Sequence, residues 1–494
     1  MTTMTAPARA GRKEWTAFVV LALPLLLVSM DVSVLYFAVP EISRDLSASP
    51  AQQLWIFDIY GFVLAGMLIT MGAVADRVGP RRLLLIGAVA FSGTSVLAAY
   101  ADSAGELIAA RAVLGVAGAT LMPSTLAMIR TLFADDEQRG QAIGAWTGVM
   151  TAGVGLGPVL SGILLAHFWW GSVFLINVPA MLLLVVLGPL LLPRTEPQPR
   201  ARFDVASSVL SLAAVLSGVY GIKEWALHGF DARWPVFIAV GLVLGTVFVR
   251  RQLTRPDAMI DVRLLRNVAY RTAVAGNAVC AFALIGNAVF MTAYLQLVLG
   301  YSPLASALWS LVPTIGVGLA APFATGLGRR HGRAEVAGAG LVTGALGFVV
   351  LTTIGTGSLV PTMLGAGLLA AGLVVAMTLC GELVLGALDP AEAGAGAAVS
   401  EASSELGGAL GIAVLGSIGA AGYQASAHLP GAAGDSLAGA AAVAARLHGA
   451  AGQAVLSAGR TAYVHGLHTA ALVGAAVLLS AAAGLWAGRR RLAL

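Results

Sequence analysis

The stretch WTAFVVLALPLLLVSMDVSVLYFAVP, residues 15–40, is long and apolar enough to cross a lipid bilayer as a helix. Such a helix needs about 20 apolar residues, and this stretch contains one charged side chain, Asp31, near its middle. A carboxylate at that depth is costly unless it is neutralised, hydrated or paired. Asp31 is therefore predicted to bind a proton, an ion or a cationic substrate, and a structural carboxylate paired inside a helix bundle is the alternative.

The composition of the whole chain agrees with a membrane protein. Of its 494 residues, 58% are hydrophobic and 11% are charged, and the mean hydropathy is +0.87. A soluble protein has about 25% charged residues, so lipid must solvate most of this chain. The net charge of +5 does not indicate nucleic-acid binding, because the basic residues lie in short loops between apolar stretches. We expect a lipid bilayer and no nucleic acid among its partners.

The polar residues do not form the patterns of common enzyme sites. The two cysteines, Cys280 and Cys380, lie inside apolar stretches and have no metal-ligand spacing. The chain lacks H-E-x-x-H, G-x-S-x-G and nucleotide-binding motifs. We therefore expect no metal and no cofactor, and an integral-membrane enzyme is only a remote alternative.

Fourteen apolar stretches are predicted to be transmembrane helices, and they make this an all-α membrane protein. A region at 424–464, rich in alanine and glycine, is predicted to be an extracellular loop with a short surface helix. The predicted spans are 16–39, 53–74, 83–101, 107–129, 140–165, 171–192, 204–223, 234–252, 271–296, 304–327, 335–354, 360–386, 397–422 and 465–487.

The placement of lysine and arginine predicts the orientation of these spans. When the N-terminus is placed in the cytoplasm, most of the 29 basic residues lie in cytoplasmic loops or tails. An even number of spans then returns the C-terminus to the cytoplasm. The predicted location is the bacterial cytoplasmic membrane, with both termini inside.

A faint internal repeat predicts two halves. The segment AVADRVGPRR at 73–82 is similar to a later segment, GLGRRHGRAE, at 326–335. The two segments are equivalent if each half has six spans and spans 7 and 8 are inserted between the halves. The predicted domains are a cytoplasmic arm at 1–15, six-helix bundles at 16–192 and 271–494, and a linker with the two inserted spans at 193–270.

The loop between spans 2 and 3 has the most specific motif, G-x-x-x-D-R-x-G. Gly72 allows close helix packing, and Gly79 permits a tight turn. Asp76 can neutralise a helix N-terminus, and Arg77 and Arg81 can pair across a seam between helices. The plainer interpretation is an ordinary basic cytoplasmic loop. We predict that these five residues serve gating.

This loop resembles the signature loop of the major facilitator superfamily. Arg111 and Gly115 in span 4 resemble its R-x-x-x-G motif. The stretch GVGLGPVLSG at 153–162, which contains Gly157, Pro158 and Gly162, resembles its antiporter motif. The number of spans is similar to that of the 14-span drug:proton antiporters, which include exporters of quaternary ammonium compounds. Two departures are Pro80, where the family usually has a basic residue, and Ser161, which replaces a glycine.

The resemblance implies roles for these residues and a major facilitator fold. The glycine face around Gly157 and Pro158 would seal the cavity against proton leak, and a simple packing kink is the alternative. Arg111 would face the cavity and tune the proton-binding carboxylate, whereas a lone membrane arginine can also merely extend toward the interface. Gly162 would belong to the same gating face.

The other membrane carboxylates are candidates for proton or substrate binding. After Asp31 and Asp58 come Glu382, then Glu405 and Glu401, which lie one turn apart on one helix face. Glu224 ranks last, because Lys223 beside it offers a local partner and spans 7 and 8 are predicted to be peripheral. The aromatic residues predicted to line a cavity are Tyr36, Trp55, Tyr60, Trp146 and Tyr294.

The function predicted from these features is proton-coupled efflux. A buried carboxylate can be protonated near neutral pH, and a hydrophobic cation favours its ionised form, so the proton and the substrate compete for one charge. The pump would export amphipathic, cationic drugs as a monomer and draw energy from the proton gradient. A dedicated exporter of a self-made metabolite or antibiotic is the alternative.

Overall fold

The structure, a computed structural model, describes residues 9–194, 204–228, 231, 233–255, 262–388, 393–447 and 449–492. This part of the chain is helical, with connecting turns and no β-strand. A 3₁₀ turn lies at Val262–Arg266 and a π-helical turn at Tyr294–Val298. The α-helices are α1 (Arg12–Asp45), α2 (Pro50–Val78), α3 (Pro80–Ala99), α4 (Ala104–Leu132), α5 (Asp136–His167), α6 (Ser172–Leu175), α7 (Asn177–Leu191), α8 (Val205–His228), α9 (Arg233–Thr254), α10 (Val268–Ala293), α11 (Pro303–Trp309), α12 (Leu311–His331), α13 (Arg333–Leu351), α14 (Leu359–Gly386), α15 (Ala393–Ala427), α16 (Ala432–Asp435), α17 (Leu437–Arg446) and α18 (Ala450–Leu492).

The prediction of an all-helical membrane protein is confirmed. Within the described residues, thirteen helical segments are long and apolar enough to cross a membrane. The predicted span at 304–327 is not among them, and it corresponds to α11 and α12, which are separated at Ser310. Pro313 explains the separation, because it has no N–H group and its ring clashes with the carbonyl four residues earlier.

The segment 424–464 differs from its predicted form, because most of it is helical. The helix α15 continues to Ala427, and α18 begins at Ala450 and is 43 residues long. At about 1.5 Å per residue, α18 is far longer than the thickness of a bilayer. The abundant alanine favours helix, and no proline follows Pro430 to interrupt it. The short helices α16 and α17 occupy the remaining turn.

Two hydrophobic cores divide the structure into halves. One core is formed mainly by α1 to α7, and the other lies within α10 to α18. The exact bounds of the two predicted bundles stay a prediction. Of the predicted arm and linker, residues 1–8, 195–203, 229–230, 232 and 256–261 lie outside the described residues.

The halves meet near one end of the molecule. We call the end at which α1 begins the N-terminal face and the opposite end the distal face. Gly416 packs against Leu54, and Gly162 packs against Leu304, both near the distal face. The Gln296 side chain also donates a hydrogen bond of 3.3 Å to the Phe37 carbonyl across the halves. We call the boundary between the two halves the seam. These contacts close the seam on its distal side in this conformation.

The inserted helices α8 and α9 form a hairpin. Asp204 binds Arg251 at 2.8 Å at the N-terminal face, and this hydrogen bond holds the pKa of the Asp204 carboxyl well below its usual range. The helix α9 presents most of its surface outward. In contrast, α8 packs along α2 and α15, so it contacts both halves. The helix α9 thus lies on the outside, whereas α8 borders both halves; that the two spans are peripheral to the transport path stays a prediction.

Candidate functional site

Asp31 and Arg111 form a fully buried ion pair between α1 and α4. The Arg111 Nη1 atom lies 2.9 Å from Asp31 Oδ2, and the two side chains are 0% and 2% exposed. Arg111 Nη2 donates to the Phe57 carbonyl at 3.4 Å, and the guanidinium lies 5.1 Å from the Tyr60 ring centroid. The structure therefore brings together Asp31, which was predicted to bind the proton, and Arg111, which was predicted to tune that carboxylate.

Gly115 of the R-x-x-x-G motif and Gly118, which follows it, explain how Arg111 reaches this position. A Cβ atom at Gly115 would lie 2.7 Å from the Tyr60 carbonyl oxygen, and one at Gly118 would lie 2.9 Å from the Tyr60 hydroxyl. Only glycine permits this approach of α4 to α2. Arg111 is one helical turn before Gly115 on α4, so this close packing also places Tyr60 against Arg111.

A second buried ion pair joins α2 to the inserted helix α8. The Lys223 Nζ atom lies 2.7 Å from Asp58 Oδ2 and 3.0 Å from Asp58 Oδ1, and both side chains are 0% exposed. The ammonium also lies 3.9 Å from the centre of the Trp55 ring. Sequence reasoning paired Lys223 with its neighbour Glu224 and missed this arrangement. The available signal was that Lys223 is one of only two lysines in the chain and lies in a predicted transmembrane hairpin.

Glu401 and Glu405 form a second acidic group on α15. In the described part of the chain, neither carboxylate has a basic side chain within ion-pair distance. Their helix, α15, packs along α2, which belongs to the other half. Glu401 and Glu405 therefore lie on a helix that borders the other half, and their role in binding stays a prediction.

Glu382 is not part of this group, contrary to its placement from sequence. It accepts hydrogen bonds from Thr325 at 2.6 Å and from Arg333 at 3.0 Å. These residues lie near the N-terminal face, where α12 ends and α13 begins. Because Glu382 is four residues from the end of α14, it ties three helices of one half together at that face instead of lining the centre.

A cavity of about 120 Å³ lies between the halves, toward the distal face. It is small for a drug-sized ligand, since such sites commonly have about 300–1,000 Å³. A ligand of that size would fit only if the cavity widened. Its aromatic lining is Tyr36, Phe57, Phe290, Tyr423 and Tyr463, and residues Asp435 to Ala438, from the end of α16 to the start of α17, cover it.

The five aromatic residues predicted for the cavity have different places. Tyr36 lines the cavity, Tyr60 contacts Arg111, and Trp55 contacts Lys223. Trp146 instead donates to Thr125 within its own half at 3.2 Å. Tyr294 is fully buried, and its hydroxyl donates to the Gly355 carbonyl, so this residue serves the packing of the C-terminal half.

The loop between α2 and α3 and the similar segment between α12 and α13 share one backbone conformation. Gly79 has φ 98° and ψ 128°, and Gly332 has φ 94° and ψ 134°. Arg81 donates to the Pro189 carbonyl at 2.6 Å, whereas Arg77 is exposed. Gly72 lies near Pro123 of α4, and the side chain of Asp76 lies outside the described residues. The shared turn supports the internal repeat that the sequence suggests.

Alanine in place of Gly79 is expected to strain this turn by about 1–3 kcal/mol, because side chains rarely adopt its backbone conformation. The thermal unfolding midpoint of the purified protein should fall. Gly93→Ala is the matched control, since Gly93 lies within α3 with no atom near its missing Cβ. Equal midpoints for the two variants would contradict a conformational requirement at Gly79.

The antiporter-like motif lies on the surface of α5 that faces α1. Cβ atoms at Gly153 and Gly157 would overlap the hydroxyls of Ser29 and Ser33. Ser161 donates to the Val34 carbonyl at 2.8 Å, so this departure from the motif adds a bond between the same helices. Gly162 contacts α11 of the other half, and Pro158 lies inside α5.

Comparison with known proteins agrees with this architecture. A family model described as Major Facilitator Superfamily matches residues 21–255. The chain is 40% identical over 492 residues to the multidrug efflux pump LfrA of Mycolicibacterium smegmatis, with 98% of each chain covered. It is 35% identical over 489 residues to the methyl viologen resistance protein SmvA of Salmonella typhimurium, with 96% of this chain and 98% of that protein covered.

A solved structure shares the fold at low sequence identity. It is the crystal structure of a bacterial homolog to the human lysosomal transporter Spinster, in an inward-facing and unoccupied conformation. The TM-score is 0.68 and the identity 17%, and the match covers 98% of both chains. This similarity concerns the fold alone.

Proposed function

This chain belongs to the major facilitator superfamily, in its group of multidrug exporters, and we propose on that basis that it is a proton-coupled antiporter for amphipathic cations. Family membership makes it a multi-pass bacterial membrane transporter rather than an enzyme. It makes small-molecule drugs the general class of substrate. Beyond this, we propose the coupling to protons, the positive charge of the substrate and the orientation in the membrane.

The buried Asp31–Arg111 ion pair is the main observation in support of proton coupling. A carboxylate and a guanidinium removed from water attract each other strongly, and protonation of Asp31 would cancel that attraction. Arg111 would then keep its bond to the Phe57 carbonyl and its contact with Tyr60, so it has partners in both states. A proton that moves inward supplies about 2.3 kcal/mol per 100 mV of membrane potential.

The balance of charges near the seam supports a cationic substrate. Among the described residues near the seam, four carboxylates, Asp31, Asp58, Glu401 and Glu405, outnumber two basic side chains, Arg111 and Lys223; both ion pairs are buried, and the two glutamates are partly buried. The cavity walls are apolar and aromatic, so they suit the body of an amphipathic molecule. A cation that binds near Glu405 would compete with a proton for the same negative charge.

The proposed orientation places the N-terminal face in the cytoplasm. Arg81, Arg329, Arg330 and Arg333 lie at that face, as basic residues of cytoplasmic loops do. The distal face would then be external, and this conformation would be closed to the outside. Each half would rock against the other around the site, with a single chain as the working unit.

Proton release from the purified protein tests this function. We expect ethidium, a cationic dye, to release protons from the protein in weakly buffered solution, and a neutral compound of similar size to release none. Everted vesicles should accumulate ethidium when a proton gradient is imposed, without ATP. Uptake that requires ATP, or proton release that does not depend on the charge of the compound, would contradict the proposal. A panel of drugs and metabolites then separates a broad exporter from a dedicated one.

A further inference from the structure

Lys223 has the surroundings of a bound organic cation. Its ammonium lies between the two Asp58 oxygens and the face of the Trp55 ring, and it is completely buried. A carboxylate with an aromatic face is the combination that recognises ammonium ligands in proteins. Trp55 and Asp58 are three residues apart on α2, so they present one surface. The lysine reaches this surface from a different helix, α8.

The attachment of α8 does not need this ion pair. The Thr70 and Ser208 hydroxyls are hydrogen-bonded to each other farther along the same helices, and Gly66 packs against Leu212. Phe62 and Val219 belong to an apolar cluster that also includes α15. A buried ion pair loses much of its Coulomb attraction to desolvation, so apolar residues of similar volume serve docking as well. The charges at this position therefore call for a different explanation.

The identity of the basic residue supports a replaceable cation. The chain has only two lysines, Lys13 and Lys223, and its other 27 basic residues are arginines. Arginine forms two parallel bonds with a carboxylate, whereas the lysine ammonium is a compact charge on a flexible chain. Such a group can leave Asp58 by rotation of its own side chain.

The site is close to the cavity. Phe57, the residue before Asp58, lines the cavity, and its carbonyl accepts the bond from Arg111. Leu54 also lines the cavity, and it lies one helical turn before Asp58 on the same face of α2. A substrate that extends from the cavity toward α8 would meet Asp58 next.

We propose that Trp55 and Asp58 form a subsite for a positively charged group of the substrate, and that Lys223 occupies this subsite until the substrate displaces it. This inference rests on the proposed function, because it assumes export of organic cations. Lys223 thereby determines specificity through Asp58: a molecule with one positive charge can bind elsewhere in the cavity, and a second charge must displace the lysine. The two inserted spans gain a role in selecting substrates by charge.

Amine labelling of the unmodified protein tests the displacement directly. Acetic anhydride should modify the exposed Lys13 readily and Lys223 slowly, and mass spectrometry distinguishes these two sites. Saturating propidium, a dication, should raise the modification of Lys223 several-fold relative to Lys13. A neutral transported compound should not change that ratio. An unchanged ratio with propidium, or an equal rise with the neutral compound, would overturn the proposal.

Transport of two related dyes tests the charge selectivity. Ethidium and propidium share a phenanthridinium ring and have one and two positive charges. We expect Lys223→Met to raise the propidium-to-ethidium transport ratio about tenfold, equivalent to 1.4 kcal/mol. Lys223→Arg should keep the ratio low, and Glu224→Gln, next in the chain, should leave it unchanged. A proportional loss of both dyes in Lys223→Met would indicate a merely structural lysine.

Two further variants keep the test decisive if Lys223→Met folds poorly. Asp58→Asn should lower the propidium-to-ethidium ratio, because the lysine charge then lacks its partner. The double variant Asp58→Asn/Lys223→Met, which removes both charges, should restore a ratio near that of the unmodified protein. An unchanged ratio in Asp58→Asn would overturn the inference. If the unmodified protein exports neither dye, the proposed function itself is wrong, whereas normal export with invariant ratios would reject only the role of Lys223.

Discussion

Replacement of Asp31 by asparagine is expected to abolish uphill export of a cationic dye. Asparagine has nearly the same shape as aspartate, but it cannot bind and release a proton. Its amide oxygen can still accept a hydrogen bond from Arg111, so the helices should keep their packing. Accumulation of ethidium in everted vesicles should fall to the level of vesicles without the protein, whatever proton gradient is imposed.

Two measurements distinguish a loss of proton coupling in Asp31→Asn from a loss of folding. Asp31→Glu retains a titratable carboxylate and should retain part of the export. The thermal unfolding of Asp31→Asn should remain cooperative, although the charge of Arg111 is then uncompensated and the midpoint should fall. Uphill export by Asp31→Asn at the normal rate would remove Asp31 from the proton pathway.

Leucine in place of Gly157 is expected to block the transport cycle. A side chain at this position overlaps Ser33 on α1, so α5 must move away or distort. Overpacking of this kind costs about 1–3 kcal/mol in well-packed interiors. Ethidium export should fall at least tenfold, equivalent to about 1.4 kcal/mol. If the interface also seals the seam, liposomes with this variant should leak protons when no substrate is present.

The same helix offers a matched control for this substitution. Gly155 lies two residues earlier on α5, and nothing lies within 4 Å of the position of its missing Cβ. Gly155→Leu adds an identical side chain and should leave both export and leak near their normal values. Equal defects in the two variants would point to a general loss of helix packing, and normal activity in Gly157→Leu would reduce the motif to coincidence.

The sequence predicted the features that depend on local patterns. Apolar length defined the spans, and the spacing of Arg111 to Gly115 identified a motif whose glycine the structure explains. It did not predict the partner of Lys223, because Asp58 is 165 residues away and only the folded chain brings α8 beside α2. Local reasoning chose Glu224 because that residue is adjacent in the chain.

Other differences have similar causes. Glu382 has a carboxylate in an apolar stretch, as Glu405 does, and composition does not tell which end of a helix lies at the cavity. The structure separates them, since Glu382 is bound by Arg333 at the N-terminal face. The continuous hydropathy of 304–327 concealed the break at Ser310, although Pro313 was a visible reason for it.

The cover formed by α16 and α17 has a consequence for inhibition. An exporter of drugs tends to expel its own inhibitors, so compounds that must enter the cell are at a disadvantage. Asp435 to Ala438 close the distal end of the cavity, and they belong to the turn between α15 and α18. In the proposed orientation this cover faces the growth medium. An antibody fragment or a peptide that clamps it would reach its target without crossing the membrane, where the pump has no means to remove it.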